Sequence, residues 1–268
     1  MDQPIRSAQN PLIRRFRAAR NGEQPECMVA EGVRLVAEAL AAAVQPIEIA
    51  WSPRLAGRPG GAELLERLKC LPDAERVLRT CSDDVLHRLS GLESHQGVAA
   101  ILRRPLLELD ALLGPAGAVP LVVVAAGVRD PGNLGALARS AEAAGATGLL
   151  SMVGSAEPFR DKALRGSAGS VFRLPCVARV TDHDALAWMR RNDLQILATD
   201  ASASSSCWDV DLRRPTALLF GAEGEGVPGP LRSAAVATVA IPLSRTVESL
   251  NVAVAAGVLL FEARRQRR

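Results

Sequence analysis

The chain has 268 residues, a formal net charge of +3 and 48% apolar residues, which allows a sizeable core in one or two domains. It has no run of 18 apolar residues, so a helical membrane span is excluded; its basic N-terminus lacks a secretory hydrophobic stretch, and a cytoplasmic protein is expected. Five scattered cysteines without a CxxC pair and three histidines without ligand spacing point to reduced thiols and no metal.

A first block runs to about residue 104. Its pattern predicts a basic helix over 10–20, a strand over 27–30 and a helix over 31–43. A strand over 46–51, a helix over 62–69, a strand over 76–80, a helix over 83–89 and a strand over 96–102 follow, which together make a small α/β sandwich. Residues 105–119 hold Pro105, Gly114, Pro115 and Gly117 and read as a linker. A second domain, 120–268, opens with PLVVVAA, a continuous β-branched run typical of a buried parallel strand. A helix over 134–144 and a strand over 148–153 come next. Beyond them lie a helix over 182–191, strands over 194–198, 216–220 and 237–242, and a long final helix. This is a parallel, doubly wound pattern.

The charge is concentrated at the ends. Five arginines stand against one aspartate in the first 20 residues, and the chain ends RRQRR. Arg14, Arg15, Arg17 and Arg20 on the first helix are therefore candidate contacts for an RNA backbone, against the alternative of solvated tails. With no tyrosine and few other aromatic residues, an aromatic platform for stacked bases is unsupported.

Three stretches at expected strand ends carry chemistry. The first is RDPGNLGALAR, residues 129–139, in which Asn133 is expected to cap the following helix and Arg139 lies farther along it. The second is LLFGAEGEGV, residues 218–227: three glycines, Gly221 among them, interleave with Glu223 and Glu225. Glycine permits close backbone approach or positive φ. The spacing is neither GxGxxG nor a P-loop, and paired carboxylates suit a cationic or hydroxyl-bearing ligand better than a pyrophosphate. The third is IPLSRTVESLNVAVAAGVLLFE, residues 241–262, which turns from polar to apolar. Ser244 or Thr246 could cap its helix, but Glu248 is one place off for a capping box, and Glu248, Ser249 and Asn251 are left needing partners.

Taken together, NLGALARSAEAAG, LLFGAEGEGVP and IPLSRTVESLNVAVAAGVLLFE resemble the three motifs of the SpoU (TrmH-like) branch of the SPOUT RNA 2′-O-methyltransferases. The first block, with SAQNP and VAEGVR, resembles the L30e-like substrate-binding domain of the members that act on ribosomal RNA. The resemblance implies an α/β chain whose C-terminal domain is a trefoil-knotted SPOUT methyltransferase domain. It implies S-adenosyl-L-methionine held by the backbone around Gly221, Ile241 and Leu250, with Thr199 and Asp200 as further contacts, and a homodimer whose active site draws on both subunits. Arg139 would act on the reacting 2′-oxygen, with Asn133, Glu223, Ser249 and Asn251 orienting it and the ribose. An arginine is held in its protonated form, so stabilisation of a developing oxyanion suits it better than base catalysis. The implied substrate is 23S ribosomal RNA. The alternatives are transfer RNA, or an RNA-binding assembly protein that retains the fold without catalysis. A nucleotide-dependent oxidoreductase lacks its GxGxxG.

Overall fold

The computed structural model describes residues 3–244 and 247–268. The chain forms two compact units: the described residues up to Pro105 with Phe159–Leu164, and Leu106–Pro158 with Arg165–Arg268.

In the first unit, α1 (Pro11–Asn21), β1 (Cys27–Glu31), α2 (Val33–Ala41), β2 (Pro46–Trp51), α3 (Gly61–Lys69), α4 (Ala74–Val77), β3 (Leu78–Thr80), α5 (Asp83–Leu89) and β4 (Val98–Arg103) follow one another. The sheet order is β1-β4-β2-β3, with only the β2–β3 pair parallel. The Asn10 side chain starts α1 by accepting from the Leu12 N–H at 2.9 Å, an N-cap. The helix then buries Leu12, Ile13 and Phe16 against Val29, Leu86 and Ile101, which leaves its arginine-bearing side outward.

The second unit contains β5 (Leu121–Ala126), α6 (Pro131–Ala144), β6 (Gly148–Met152), α7 (Asp161–Ser167, which begins in the first unit), β7 (Cys176–Val180), α8 (Asp182–Arg191), β8 (Gln195–Thr199), β9 (Ser205–Ser206), β10 (Thr216–Gly221), α9 (Gly229–Ala234), β11 (Ala237–Ala240) and α10 (Val252–Gln266). Its sheet runs β7-β6-β5-β10-β8-β11-β9 with every neighbouring pair parallel. Every residue of β5 is buried, as its unbroken apolar run requires in a sheet covered on both faces. From β5 the chain steps outward through β6 to β7, then returns to build the other half around β10 and β8. The strand order therefore reverses between β5 and β10, the switch point at which open α/β sheets bind ligands.

Residues 105–119 are not a free tether. Leu109–Leu113 forms a 3₁₀ turn, and Leu112 is fully buried with Val122, Leu150 and Trp188 in the core of the second unit. β7, β9, α7 and α9 have no counterpart in the sequence pattern. β7 is half-buried, with its register broken near Met152 and Arg179 at φ +64°, which hides any period-2 signal. The helix starts also differ from expectation. Asp130, not Asn133, caps α6: its Oδ1 accepts from the Asn133 N–H at 2.8 Å, with Pro131 at the first helical position. Asn251 caps α10, its Oδ1 accepting from the Ala253 N–H at 3.0 Å. Ser244 lies in non-helical chain well before that start, and Thr246 lies outside the described residues.

Among the described residues no helix is long and apolar enough to cross a membrane, and no group of three or more His, Cys, Asp or Glu is placed to hold a metal ion.

Candidate active site

β5 and β10 end side by side, with Ala126 opposite Gly221, so the loops that follow them share one end of the sheet. The loop after β10 folds back on itself. Ala222 N–H donates to Gly226 O at 3.1 Å and Gly226 N–H to Ala222 O at 2.9 Å. Gly224 and Gly226 take φ +83° and +70°, conformations that favour glycine. Gly221 has no positive φ. A Cβ there would lie 2.0 Å from Gly226 C and 2.2 Å from Val227 N. A side chain at Gly221 is thus excluded by the return of its own loop.

A cleft of about 530 Å³ opens beyond these strand ends, a volume typical of small-molecule sites. Thr199, Asp200, Gly221, Ile241 and Leu250 all line it, as do Glu223 and Ser249. Its greasy surfaces come from Phe220, Leu243 and Leu259, its acidic rim from Glu223, Glu225 and Glu248. The Thr199 hydroxyl donates to Leu219 O at 2.9 Å and so ties β8 to β10. Asp200 is anchored by the Ser202 hydroxyl and N–H and by Arg232 at 2.6 Å, which together hold its carboxyl below the ordinary range. Ser249 makes no side-chain hydrogen bond among the described residues.

The remaining polar residues meet at the start of α6. Asn133 Nδ2 donates to Glu223 Oε1 at 2.9 Å, and Asn251 Nδ2 donates to Asn133 Oδ1 at 3.0 Å and toward Glu223 Oε1 at 3.4 Å. One residue from each of the three sequence stretches is present in this network. Because Asp130 does the capping, the Asn133 amide is left free for it. Beside it, Arg129 grips Glu225 through two 2.9 Å bonds; both side chains are more than 60% exposed, so the pair contributes little stability. Arg139 stands apart. It is exposed, lies outside the cleft lining and makes no hydrogen bond or ion pair among the described residues. Six positions on from Asn133, it points about 120° away around the helix.

The α1 arginines divide in two. Arg15 makes a forked ion pair with Glu48 at 2.8 and 2.7 Å, and Arg20 is held by Glu31, Asp161 and Leu89 O. Arg14 and Arg17 are exposed, and Arg17 has only a long 3.5 Å contact to Arg88 O. The sequence pattern did not single out the capping role of Asp130, although the Asp-Pro pair signals it, or the Asp200–Arg232 pair, whose 32-residue separation gives no local signal.

The comparisons with known proteins agree with this geometry. The profile of the SpoU rRNA methylase family matches residues 120–261, and that of the RNA 2′-O ribose methyltransferase substrate-binding domain matches residues 29–106. An uncharacterised tRNA/rRNA methyltransferase of Synechocystis is 32% identical, covering 98% of this chain and 93% of its own length. The 23S rRNA (guanosine-2′-O-)-methyltransferase RlmB of Xylella fastidiosa is 37% identical over 71% of this chain and 78% of its own. The SpoU methyltransferase AviRb of Streptomyces viridochromogenes, solved with the cofactor AdoMet, superposes with a TM-score of 0.85 at 27% identity, covering 97% of this chain and 98% of that one. With both units matched in order and the three sequence stretches joined at one switch point, the chain belongs to the SpoU family of RNA methyltransferases.

Proposed function

We propose that this protein is an S-adenosylmethionine-dependent RNA ribose 2′-O-methyltransferase acting on 23S ribosomal RNA. The observation that carries the reading is the cleft at the β5–β10 switch point, which gathers Thr199, Asp200, Gly221, Ile241 and Leu250 and adjoins the Asn133–Glu223–Asn251 network. The cleft suits the cofactor in size, in its apolar walls for an adenine ring and in its carboxylate rim for a cationic sulfur. Bound there, S-adenosylmethionine supplies an electrophilic methyl group. The 23S rRNA methylation for which the RlmB relative is named, together with the matched substrate-binding domain, supports 23S ribosomal RNA over transfer RNA.

The chain's own residues then divide the work. The network holds the first turn of α6, the loop after β10 and the start of α10 in one register, so that a ribose placed against them is fixed before reaction. As the ribose 2′-hydroxyl passes its proton to bulk water, charge develops on oxygen, and the permanently protonated Arg139 stabilises it and an adjoining phosphate. Ser249 offers a free hydroxyl at the cleft edge. Because Arg139 projects away from its own network, a homodimer that sets it against a ribose at the junction of two subunits completes the site. The outer face of α10 supports this arrangement: Val254 and Phe261, seven residues apart, are 54% and 51% exposed on the helix that packs on α6. A trefoil knot accompanies the reading, in keeping with β10 inserted between β5 and β8 and with α10 returning onto α6.

The direct test incubates the protein with a 23S transcript and S-adenosylmethionine labelled in its methyl group, followed by digestion to nucleosides. Label in a 2′-O-methylnucleoside is expected; label only on a base, or none, refutes the assignment.

A further inference from the structure

A second cavity, of about 490 Å³, lies wholly within the first unit, between the start of α2 and the turn that leads into α3. Its lining includes three arginines, Arg34, Arg58 and Arg67, against one carboxylate, Glu63. None of the three guanidinium groups has a hydrogen-bond or ion-pair partner among the described residues. On α1, by contrast, Arg15 and Arg20 are neutralised by neighbouring carboxylates. Arg58 Nε is buried and unsatisfied, and a buried donor left without an acceptor costs free energy that a ligand would return. Two helices begin at this cavity. Gly32 precedes α2 and Gly60 precedes α3, and neither supplies a side-chain cap, so first-turn N–H groups and the positive helix ends face the same place. Gln96 Oε1 accepts from the Val33 N–H at 3.0 Å, which leaves its amide hydrogens without a partner among the described residues.

Arginines without ion-pair partners, beside the starts of two helices, are a receptor for oxyanions. We propose that this cavity binds phosphodiester groups of the RNA substrate and is the main RNA contact of the first unit, in place of the α1 arginines. The proposal rests on the methyltransferase reading for the identity of the RNA, and on the cavity alone for where that RNA is held. Arg34 and Arg67 are exposed and reach outward to the backbone. The partly buried Arg58 is the fixed member that the others flank. Glu63 opposes the phosphate and tempers affinity, so its removal should tighten binding, whereas a cavity meant for a cation would loosen.

The experiment uses the full chain and a 23S transcript, with binding measured over a series of salt concentrations. The triple variant Arg34→Gln/Arg58→Gln/Arg67→Gln is expected to bind at least tenfold more weakly. Its dependence of log affinity on log salt should also be shallower, by about 0.7–0.9 for each phosphate that is no longer neutralised. The pair Arg34→Gln/Arg67→Gln alters only exposed side chains and guards against misfolding; it should lose a smaller share with an unchanged melting temperature. Glu63→Gln should tighten binding, and Arg14→Gln/Arg17→Gln should change it less than threefold. S-adenosylmethionine affinity should be the same in all. Wild-type affinity and salt slope in both arginine variants overturn the proposal, as does a larger loss in the α1 pair or no binding of the transcript by the wild type. A wild type that binds the transcript through these arginines but transfers no methyl group overturns the methyltransferase reading and leaves the cavity assignment standing.

Discussion

The Asn133 amide donates to the Glu223 carboxylate across 2.9 Å, joining the first turn of α6 to the glycine loop 90 residues later. A carboxamide is needed at this point, since it gives a hydrogen to Glu223 while taking one from Asn251. Asn133→Asp places two carboxylates side by side and removes the donor. Methyl transfer should fall at least tenfold, about 1.4 kcal/mol in the barrier, with little change in melting temperature because Glu223 and Asn251 are exposed. Single-turnover rates and thermal melting check this; an unaltered rate would remove the network from the mechanism.

Gly221 and Gly224 separate two roles of glycine in one loop. A Cβ at Gly221 meets backbone at 2.0 Å, whereas at Gly224 it meets nothing within 4 Å and only φ +83° is strained. Gly221→Ala should therefore destabilise the second unit by several kcal/mol, beyond ordinary overpacking, and Gly224→Ala by about 1 kcal/mol. Denaturant midpoints of the two variants report the difference. Equal midpoints would show that the loop can move aside.

Arg267 is the fastening of the C-terminal end. Its guanidinium donates to Val119 O and Leu212 O at 2.7 Å, to Arg214 O at 2.7 Å and to Pro120 O at 3.1 Å, and burial pushes its pKa down. Arg267→Ala leaves several carbonyls unsatisfied and should cost about 2–3 kcal/mol. Arg267→Lys should recover only part, having lost the planar fork. Calorimetric melting measures both, and an alanine variant as stable as the wild type would contradict the assignment.

His95 gives the first unit a pH dependence. It is 4% exposed, and its Nδ1 accepts from the Gly97 N–H at 3.2 Å, so its neutral form is the one built in. Burial lowers its pKa below the ordinary 6.5; Arg54 and His87 push the same way, while Asp83 and Glu31 oppose. Between the lowered folded value and 6.5 the unfolded chain binds more protons. The stabilisation is therefore whole above pH 6.5 and is lost as pH falls through the folded value. The melting temperature should drop on acidification below 6.5, and less steeply in His95→Gln. Parallel pH profiles for the two proteins would exclude His95 as the cause.

Much of this was legible in the sequence because it is local. The run of valines in β5, the apolar stripe of α10 and the glycines after β10 each announce themselves within a dozen residues. Most residues of the cleft and of the Asn133 network stand out in the sequence too, because all but a few, Thr199 and Asp200 among them, fall in three short stretches. What was not legible is who touches whom. Asn133 looks like a helix cap by position, and only the structure shows Asp130 taking that role and freeing Asn133 for partners 90 and 118 residues distant. Leu112 sits in a Pro/Gly-rich stretch whose composition reads as linker, yet tertiary burial places it in the core. The α1 arginines read as a basic patch because Glu48 and Glu31, which neutralise two of them, come from strands farther along the chain.

The most direct test of the proposed mechanism is the single-turnover rate of methyl transfer to a 23S transcript by Arg139→Ala, with cofactor affinity and melting temperature measured on the same protein. Arg139 is exposed and has no partner among the described residues of its own chain. Melting and S-adenosylmethionine affinity should therefore be unchanged, while the rate falls on the order of a hundredfold or more, with little rescue by Arg139→Lys. A near-wild-type rate in the alanine variant would contradict a role for Arg139 at the reacting oxygen.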